Sequence, residues 1–396
     1  TLSDTLSLHD ALPIFFSLRY SATHKVEYNK VFRLDALDAY NKKLVKKIQV
    51  KGINLKGTTG TNGYLYVEQI IVSKTKNPTA LIEFEKRNAN GETKRVRQKL
   101  EKGANIFQLS GNMPQYQHYT IQEVDGYSNK IVINNQDIFA GDIIGYKDEK
   151  EFRRIQIRET IVSHLTKEKQ LFEKGIKVLS LFFIDHVDKY RVYNKDGMEE
   201  IGEYAKIFEE EYNAIRNEFL DLFNQEYNDY LLENDKHPIH KAYLPTRFTK
   251  YLERDDAAQV HRGYFSIDKK NKLVDPTVKR GSEDADDISA YDLIMKDKER
   301  LLSFEEPTRF IFSHSALKEG WDNPNVFQIC ALKNTDTASK NRRRQEVGRG
   351  MRLCVNEQGI RLDYDTIGEQ VHEINKLTVL ASESYEEFAK GLQNEI

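Results

Sequence analysis

The segment from Phe312 to Leu353 constrains the fold of this chain more than any other stretch. It holds two short signatures, EGWDNP over residues 319–324 and QEVGRGMR over residues 345–352. Between them lies the apolar run Val326–Leu332, which has the composition of a buried strand. Strand, loop and helix patterns that alternate in this way predict an open α/β sheet with its site at the strand ends.

The second signature predicts a phosphate clamp. Gln345, Arg349 and Arg352 are spaced by four and three residues, so one face or end of a helix can present all three. Two neighbouring guanidinium groups repel each other unless an anion lies between them, and their planar forks suit phosphate oxygens. A second interpretation stays open, because an arginine-rich run such as that at 342–344 is usually a solvated or nucleic-acid-facing surface.

Helix and strand patterns around the signatures extend this α/β reading. Arg158–Lys174 has the periodicity of an amphipathic helix, and Gly175 after it is a typical helix stop. Ile176–Ile184 and Arg309–Ser313 predict strands, and the first has the nearly continuous apolar character of a central parallel strand. An aromatic stripe from Tyr204 to Phe223 predicts a long helix whose stripe packs into the core.

Residues 57–152 predict a β-rich inserted module, because short β-branched and aromatic runs alternate there with turn signals. The predicted strands are Tyr64–Ser73, Thr79–Lys86, Glu92–Gln98, His118–Val124 and Asn129–Asn134. Asn90-Gly91 and Asp125-Gly126 are typical of tight hairpin turns. We therefore expect a small barrel or sandwich.

Five apolar residues near the start of the chain recur at helical spacing and predict an amphipathic helix. They are Leu34, Leu37, Tyr40, Leu44 and Ile48. Lysines lie on the opposite face of this predicted helix; we expect that face to be solvated, with contact to a phosphate backbone as the alternative.

Composition sets the outer limits of the interpretation. A chain of 396 residues exceeds one ordinary domain, so two or three domains are expected. The formal net charge is −2, so any DNA contact must come from local patches. Two cysteines, Cys330 and Cys354, are too few for a disulfide framework and fit core thiols in a reducing cytoplasm. No residue set predicts a metal site, and no apolar run is long enough to span a membrane.

The two signatures resemble motifs V and VI of superfamily 2 helicases and translocases. The longer sequence around them, SHSALKEGWDNPNVFQIC followed by RRRQEVGRGMRLCVN, is similar to that of the restriction (Res) subunit of type III restriction-modification enzymes. Ser21-Ala22-Thr23 resembles motif III, which couples the two motor domains, and Ile176–Ile184 resembles motif IV. The resemblance implies an α/β, RecA-like parallel sheet of the P-loop NTPase type for the second motor domain, with a β-rich and a helical insertion.

The resemblance also implies roles for individual residues. Arg349 and Arg352 are expected to act as arginine fingers on the γ-phosphate of ATP, with Gln345 in the same catalytic group. The residues expected to line the nucleotide cleft are Gly320, Asp322 and Gly348.

The DNA contact in motif V is less well defined by the resemblance. The superfamily usually has a threonine about eight residues before the motif V aspartate, and His314 occupies that place here. The expected contact with the nucleic-acid backbone therefore stays open among Ser313, His314 and Ser315.

The resemblance divides the chain into five parts. Residues 1–16 match nothing in the family; we interpret them as a sequence artefact and leave them out of the fold prediction. The other expected parts are the end of the first RecA-like domain at 17–56, the β-rich insertion at 57–152, the second RecA-like domain at 153–380 with a helical insertion at about 200–302, and the start of a linker to a nuclease domain at 381–396.

The sequence contains no Walker A pattern G-x-x-x-x-G-K-[ST], no Walker B motif and no nuclease motif. We therefore expect a fragment running from motif III through motif VI, inactive alone, with ATP and Mg²⁺ as cofactors and the magnesium ligands outside this chain. The expected partners are double-stranded DNA and the DNA-methyltransferase (Mod) subunit. Two alternatives are another superfamily 2 DNA helicase and a non-catalytic DNA-binding scaffold.

Overall fold

The computed structural model describes residues 31–56, 63–145, 149–233, 246–267, 273–274, 298–314, 323–332 and 345–382. Its helices are α1 Ala36–Asn41, α2 Ile106–Leu109, α3 Glu149–Leu171, α4 Glu203–Glu233, α5 Thr246–Arg254, α6 Lys298–Leu302, α7 Tyr364–Ile367 and α8 Val371–Ile374. A further helical turn covers residues 345–348.

The strands are β1 Lys47–Lys56, β2 Leu65–Ile71, β3 Thr79–Arg87, β4 Thr93–Leu100, β5 Ile121–Asp125, β6 Lys130–Ile133, β7 Gln136–Phe139, β8 Asp142–Ile144, β9 Leu179–Ile184, β10 Arg191–Tyr193, β11 Glu199–Ile201, β12 His261–Tyr264, β13 Ser266–Ile267, β14 Leu273–Val274, β15 Phe310–Ser313, β16 Val326–Leu332 and β17 Lys376–Ser382.

Ten strands form one sheet in the order β12-β15-β9-β16-β17-β1-β8-β2-β3-β4. Every neighbouring pair from β12 to β8 is parallel, whereas β8, β2, β3 and β4 pair antiparallel. Strands β9, β15 and β16 are buried along their whole lengths, as their apolar runs predict. The α/β fold class is therefore confirmed, and β16 has the bounds predicted from the sequence.

Apolar side chains cover both faces of the parallel half of the sheet. One face, which includes Phe182 and Phe310, packs against α3, α4 and α5. The other face, which includes Ile311, packs against Leu301 of α6 and Val347 of the turn at 345–348. Burying an apolar side chain of this size stabilises the fold by roughly 1.5–3 kcal/mol, so these two layers hold the strand ends in place.

The long helices agree with their sequence patterns in type and differ in their bounds. Helix α3 starts at Glu149, earlier than the predicted Arg158. Gly175 ends the helical region, as predicted, in a left-handed conformation with φ of 67°. In α4 the residues Tyr204, Phe208 and Tyr212 are buried in the core, so the aromatic stripe is a packing surface, as expected.

The predicted helix through Leu44 and Ile48 is wrong beyond its first turns. Helix α1 ends at Asn41, and Lys43 adopts a left-handed φ of 54° that stops helix propagation. Ile48 belongs to β1 and is buried against the sheet. The burial of Ile48 in a parallel strand therefore overrides its helical spacing, which is a weak signal over so short a segment.

Strand β1 lies inside the same sheet as the strands that follow the β-rich module. It pairs in parallel with β17 from Lys47↔Lys376 to Ile53↔Ser382, and its last residues pair with β8. The resemblance assigns β1 to the end of the first motor domain, whereas its hydrogen bonds join it to the sheet of the predicted second motor domain.

The β-rich module contains all five predicted strands, with β7 and β8 in addition. Strands β2, β3 and β4 extend the large sheet, while β5, β6 and β7 form a separate antiparallel sheet. The two sheets share a core that includes Ile82, Phe84, Ile121 and Ile131. This is the face-to-face arrangement of a sandwich, but one layer is continuous with the large ten-stranded sheet.

The region predicted as a helical insertion also contributes to the sheet. Its strand β12 pairs in parallel with β15 from His261↔Phe310 to Tyr264↔Ser313. Helices α4 and α5 precede this strand in sequence and pack on one face of the sheet. His237 and His240, which no cysteine or carboxylate at ligand spacing accompanies in the sequence, lie outside the described residues.

A fully buried polar network joins α3 to the neighbouring helices and β15. Arg309 donates to the Glu168 carboxylate at 2.9 Å and to the hydroxyl of Tyr212. Tyr251 of α5 donates to the other Glu168 oxygen at 3.2 Å. The nearby cations Arg309 and His164 lower the pKa of Glu168 to about 2, against the opposing effect of burial.

A second ionic network joins the β-rich module to α3 and α4. Arg158 of α3 contacts the carboxylates of Glu83 on β3 and Glu211 on α4. Arg97 of β4 likewise bridges Glu68 of β2, at 2.7 Å, and Glu218 of α4. These charges are mostly buried and mutually paired, so removing one partner would leave another charge uncompensated.

Both cysteines are buried free thiols, which confirms their predicted place in the core. Burial raises the pKa of Cys354 to about 11, so its thiol is neutral near pH 7. Within the described ranges, no helix has the length and apolar character needed to cross a bilayer.

Candidate functional site

The second signature lies across the face of the sheet and turns most of its polar residues away from the core, whereas Glu346 is buried. Val347 is buried against the sheet, whereas Gln345, Gly348 and Arg352 are exposed and Arg349 is half-buried. The alternation follows from the helical turn at 345–348, because its apolar positions face the strands.

Gly350 allows this segment to approach the sheet closely. A Cβ atom at Gly350 would lie 2.6 Å from the side chain of Leu377 and 3.2 Å from that of Ile329. The glycine between the two arginines is therefore a packing requirement, and it fixes the depth at which Arg349 and Arg352 leave the sheet surface.

A buried lysine joins the segments next to the two signatures. Lys46, fully buried just before β1, donates its ammonium protons to the backbone carbonyls of Pro324 and Arg352. Its own backbone amide donates to the carbonyl of Met351 at 2.8 Å. Burial lowers the pKa of Lys46 to about 7, so its charge is finely balanced near neutrality. Sequence reasoning missed Lys46, because it belongs to a lysine-rich run whose members look alike.

Two asparagine side chains, Asn325 and Asn375, hold the chain that follows the second signature. Asn325 exchanges two hydrogen bonds of 2.9 Å with the backbone of Val355. Asn375 accepts from the amide of Cys354 at 2.8 Å and donates to the carbonyl of Leu362 at 3.0 Å. Because an amide side chain offers both a donor and an acceptor, each asparagine replaces a short piece of backbone pairing. The chain after the second signature is thus tied to the starts of β16 and β17.

At the carboxyl end of β15, the two described DNA-contact candidates differ in accessibility. Ser313 is buried, and its hydroxyl donates to the backbone carbonyl of His314 at 2.9 Å. His314 itself is half-buried. Of these two residues, His314 is the better placed to meet an external ligand.

Several predicted site residues lie outside the described residues. They are Ser21, Ala22, Thr23, Ser315, Gly320 and Asp322. The structure therefore brings together Gln345, Gly348, Arg349 and Arg352 on one segment, while their relation to the cleft residues of the first signature stays a prediction.

The sheet and this site define an α/β protein with a mostly parallel half-sheet and a surface arginine pair supported by buried polar side chains. No family model matches the chain. The Res subunit of the type III restriction-modification enzyme EcoP15I from Escherichia coli is 32% identical over 348 residues, covering 86% of this chain and 30% of that protein.

The Res subunit of the EcoPI enzyme from Escherichia phage P1 gives the same identity and coverage. The StyLTI Res subunit from Salmonella typhimurium is 28% identical over 384 residues, covering 92% of this chain and 33% of that protein. The predicted resemblance to type III Res subunits is confirmed, and the chain spans about a third of the length of these relatives.

A solved structure, a fragment of a putative HsdR subunit of a type I restriction enzyme from Vibrio vulnificus YJ016, matches 63% of this chain and 30% of that chain. The TM-score is 0.26 and the sequence identity 13%, a likeness too weak to bear on fold or function.

Proposed function

We propose that this chain supplies the second RecA-like half of an ATP-dependent DNA translocase or helicase, as part of a type III Res-type subunit. The observation that carries the proposal is the resemblance to Res subunits over 86–92% of the chain, which includes both signatures. The α/β sheet supports the proposal, because superfamily 2 motors are built from two such sheets with the nucleotide between them.

In this proposal Arg349 and Arg352 contact the γ-phosphate of ATP. Their positions fit an anionic group, because both leave the polar side of a segment whose apolar side is anchored in the core. An inserted arginine stabilises the charge that develops in phosphoryl transfer and contributes about 10³–10⁵ to the rate in known systems. ATP with Mg²⁺ would supply the reactive phosphoryl group, with the magnesium ligands outside this chain.

The remaining predicted residues have supporting roles. Gly320, Asp322 and Gly348 would line the nucleotide cleft, and Gln345 would orient groups beside the arginines. Ser21-Ala22-Thr23 would couple the two motor halves, and the segment from Ser313 to Ser315 would follow the DNA backbone. Double-stranded DNA and a Mod methyltransferase subunit are the proposed partners, with the cytoplasm as the proposed location.

The test is DNA-stimulated ATPase activity of this chain combined with a first RecA-like domain that carries Walker A and Walker B motifs. We expect no activity from this chain alone and DNA-dependent activity from the combination. Arg349→Ala should abolish that activity and leave DNA affinity unchanged. Arg361→Ala, an exposed arginine beyond the signature, is the matched control and should retain activity.

Two other results would redirect the proposal. The DNA-binding scaffold would be favoured if the combination shows no ATPase activity and the doubly substituted Arg349→Ala, Arg352→Ala protein binds DNA more weakly, with a shallower salt dependence. Full ATPase activity in Arg349→Ala would contradict the arginine-finger role directly.

A further inference from the structure

Four lysines gather where β1 and β17 begin. Lys47 and Lys376 are register partners in these parallel strands. The next residue of each strand, Ile48 and Leu377, packs into the core on one face, so both lysines point to the opposite face. That face is the one covered by α3.

Lys167 of helix α3 is the third lysine, and the buried Lys46, just before β1, is the fourth. The ammonium groups of Lys46 and Lys167 lie 4.8 and 5.5 Å from the centre of the Phe327 ring. Burial, and then the positive charge of Lys376, lowers the pKa of Lys167 to about 8. We call Lys46, Lys47, Lys167 and Lys376 the lysine cluster.

Among the described residues, the lysine cluster lacks the carboxylates that accompany its neighbours. Lys43 is paired with Glu369, and Lys51 is paired with Glu159. Across the described stretches of the chain, by contrast, no Asp or Glu forms an ion pair with any member of the lysine cluster. The thiol of Cys354, which lies close enough to affect Lys46 and Lys167, is neutral near pH 7 and supplies no counter-charge.

Like charges in a partly buried setting repel strongly, because little water is present to screen them. The carboxyl end of α3 offsets part of the Lys167 charge, and the carbonyls of Pro324 and Arg352 accept from Lys46, but none of these partners carries a net negative charge. The Phe327 ring favours the two cations that lie over it, yet it carries no net charge. An anion that reaches several of these ammonium groups at once would remove the repulsion.

We propose that the lysine cluster binds a phosphate group, either of a DNA backbone or of a free phosphate-bearing ligand. The site lies where β1 and β17 begin, at the opposite end of the parallel strands from Ser313. Phosphate has several oxygens, so it can accept from more than one ammonium group, and lysine binds it as a flexible point charge. Lys47, Lys167 and Lys376 are exposed or half-buried and can reach such a ligand, while Lys46 supports them from beneath. The site is separate from Arg349, because α3 and the turn at 345–348 cover opposite faces of the sheet.

The experiment uses the whole chain and two probes, inorganic phosphate and a short DNA duplex. Binding of phosphate is measured by calorimetry and by the rise in thermal midpoint, and binding of the duplex by titration over a series of salt concentrations. The test protein is the doubly substituted Lys167→Met, Lys376→Met variant, which keeps the aliphatic stems. Lys94→Met, an exposed lysine on β4 at the far edge of the sheet, is the matched control.

If the ligand is free phosphate, the double variant should bind inorganic phosphate at least about tenfold more weakly than the wild type and the control. If the source is DNA, the slope of log affinity against log salt should become shallower by about 1 for each lysine removed. A charge-preserving Lys167→Arg, Lys376→Arg variant should bind both probes as the wild type does and keep the wild-type salt slope, which separates lost charge from lost folding. The proposal is overturned if the double variant matches the control with both probes.

Discussion

Lys46 provides a sharp test of the electrostatics at the candidate site. In the unfolded chain its ammonium keeps its proton up to about pH 10.5, whereas burial lowers its pKa to about 7 in the folded protein. Between these values the unfolded state binds more protons, so the free energy of unfolding must rise with pH. Linkage gives a gain of about 2 kcal/mol from pH 7 to pH 9 for this one group.

The perturbation is Lys46→Met, which keeps a stem of similar length and removes the titrating group. The assay is urea unfolding of wild type and variant at pH 7, 8 and 9. Lys167 and Lys177, whose pKa values burial also lowers, contribute in the same direction to both proteins. The difference between the two slopes therefore reports Lys46 together with the smaller change that losing its charge causes in the titration of Lys167.

We expect the wild type to gain about 2 kcal/mol more than Lys46→Met over this interval. At pH 9 the neutral amine still donates to the carbonyls of Pro324 and Arg352, so the variant should be less stable by at least about 1 kcal/mol. Lys42→Met, on an exposed residue nearby, should keep the wild-type slope. Equal pH slopes for wild type and Lys46→Met would refute the reasoning.

Three further perturbations test the rest of the framework. Glu168→Gln should lower the free energy of unfolding, measured in urea at pH 7, by about 3–5 kcal/mol, since it removes the carboxylate paired with the buried Arg309 guanidinium. Because the folded pKa of Glu168 is about 2, the wild type should lose this extra stability over the variant as the pH falls from 4.5 towards 2. Gly141→Ala should destabilise far more than Gly91→Ala, because both have positive φ but only a Cβ at 141 would lie 2.5 Å from a backbone oxygen; equal losses would mean that the backbone relaxes. Arg158→Met should also cost about 3–5 kcal/mol in urea, and a loss below 1 kcal/mol would show that its network is solvated in solution.

The strands were predictable where burial alone decides the conformation. The runs around Phe182, Phe310 and Ile329 are apolar on both sides, and their shortness favours a strand covered on two faces over a buried helix. The stripe of α4 was predictable for the same reason, because a period of 3.6 residues over several turns has no other common explanation.

The start of the chain shows where this reasoning fails. The spacing from Leu34 to Ile48 fits a helix, but Lys43 takes a left-handed conformation and Ile48 enters the sheet beside Leu377. That pairing joins residues more than 300 positions apart, and no local pattern encodes it. The same is true of β12, a strand of four residues inside a region of helical periodicity.

The site was predictable as a motif and unpredictable as a structure. The arginine pair follows from residue type and spacing, whereas its support comes from Lys46, Asn325 and Asn375, which are far apart in sequence and ordinary in type. Each of these three side chains bonds to backbone atoms, so each fixes where the chain runs next to the arginine pair. Because Lys46 precedes the β-rich module, the position of Arg352 depends on a segment that the family resemblance assigns to the other motor half. A movement of that segment would therefore be transmitted directly to the backbone of Pro324 and Arg352, through one buried ammonium group and two backbone carbonyls.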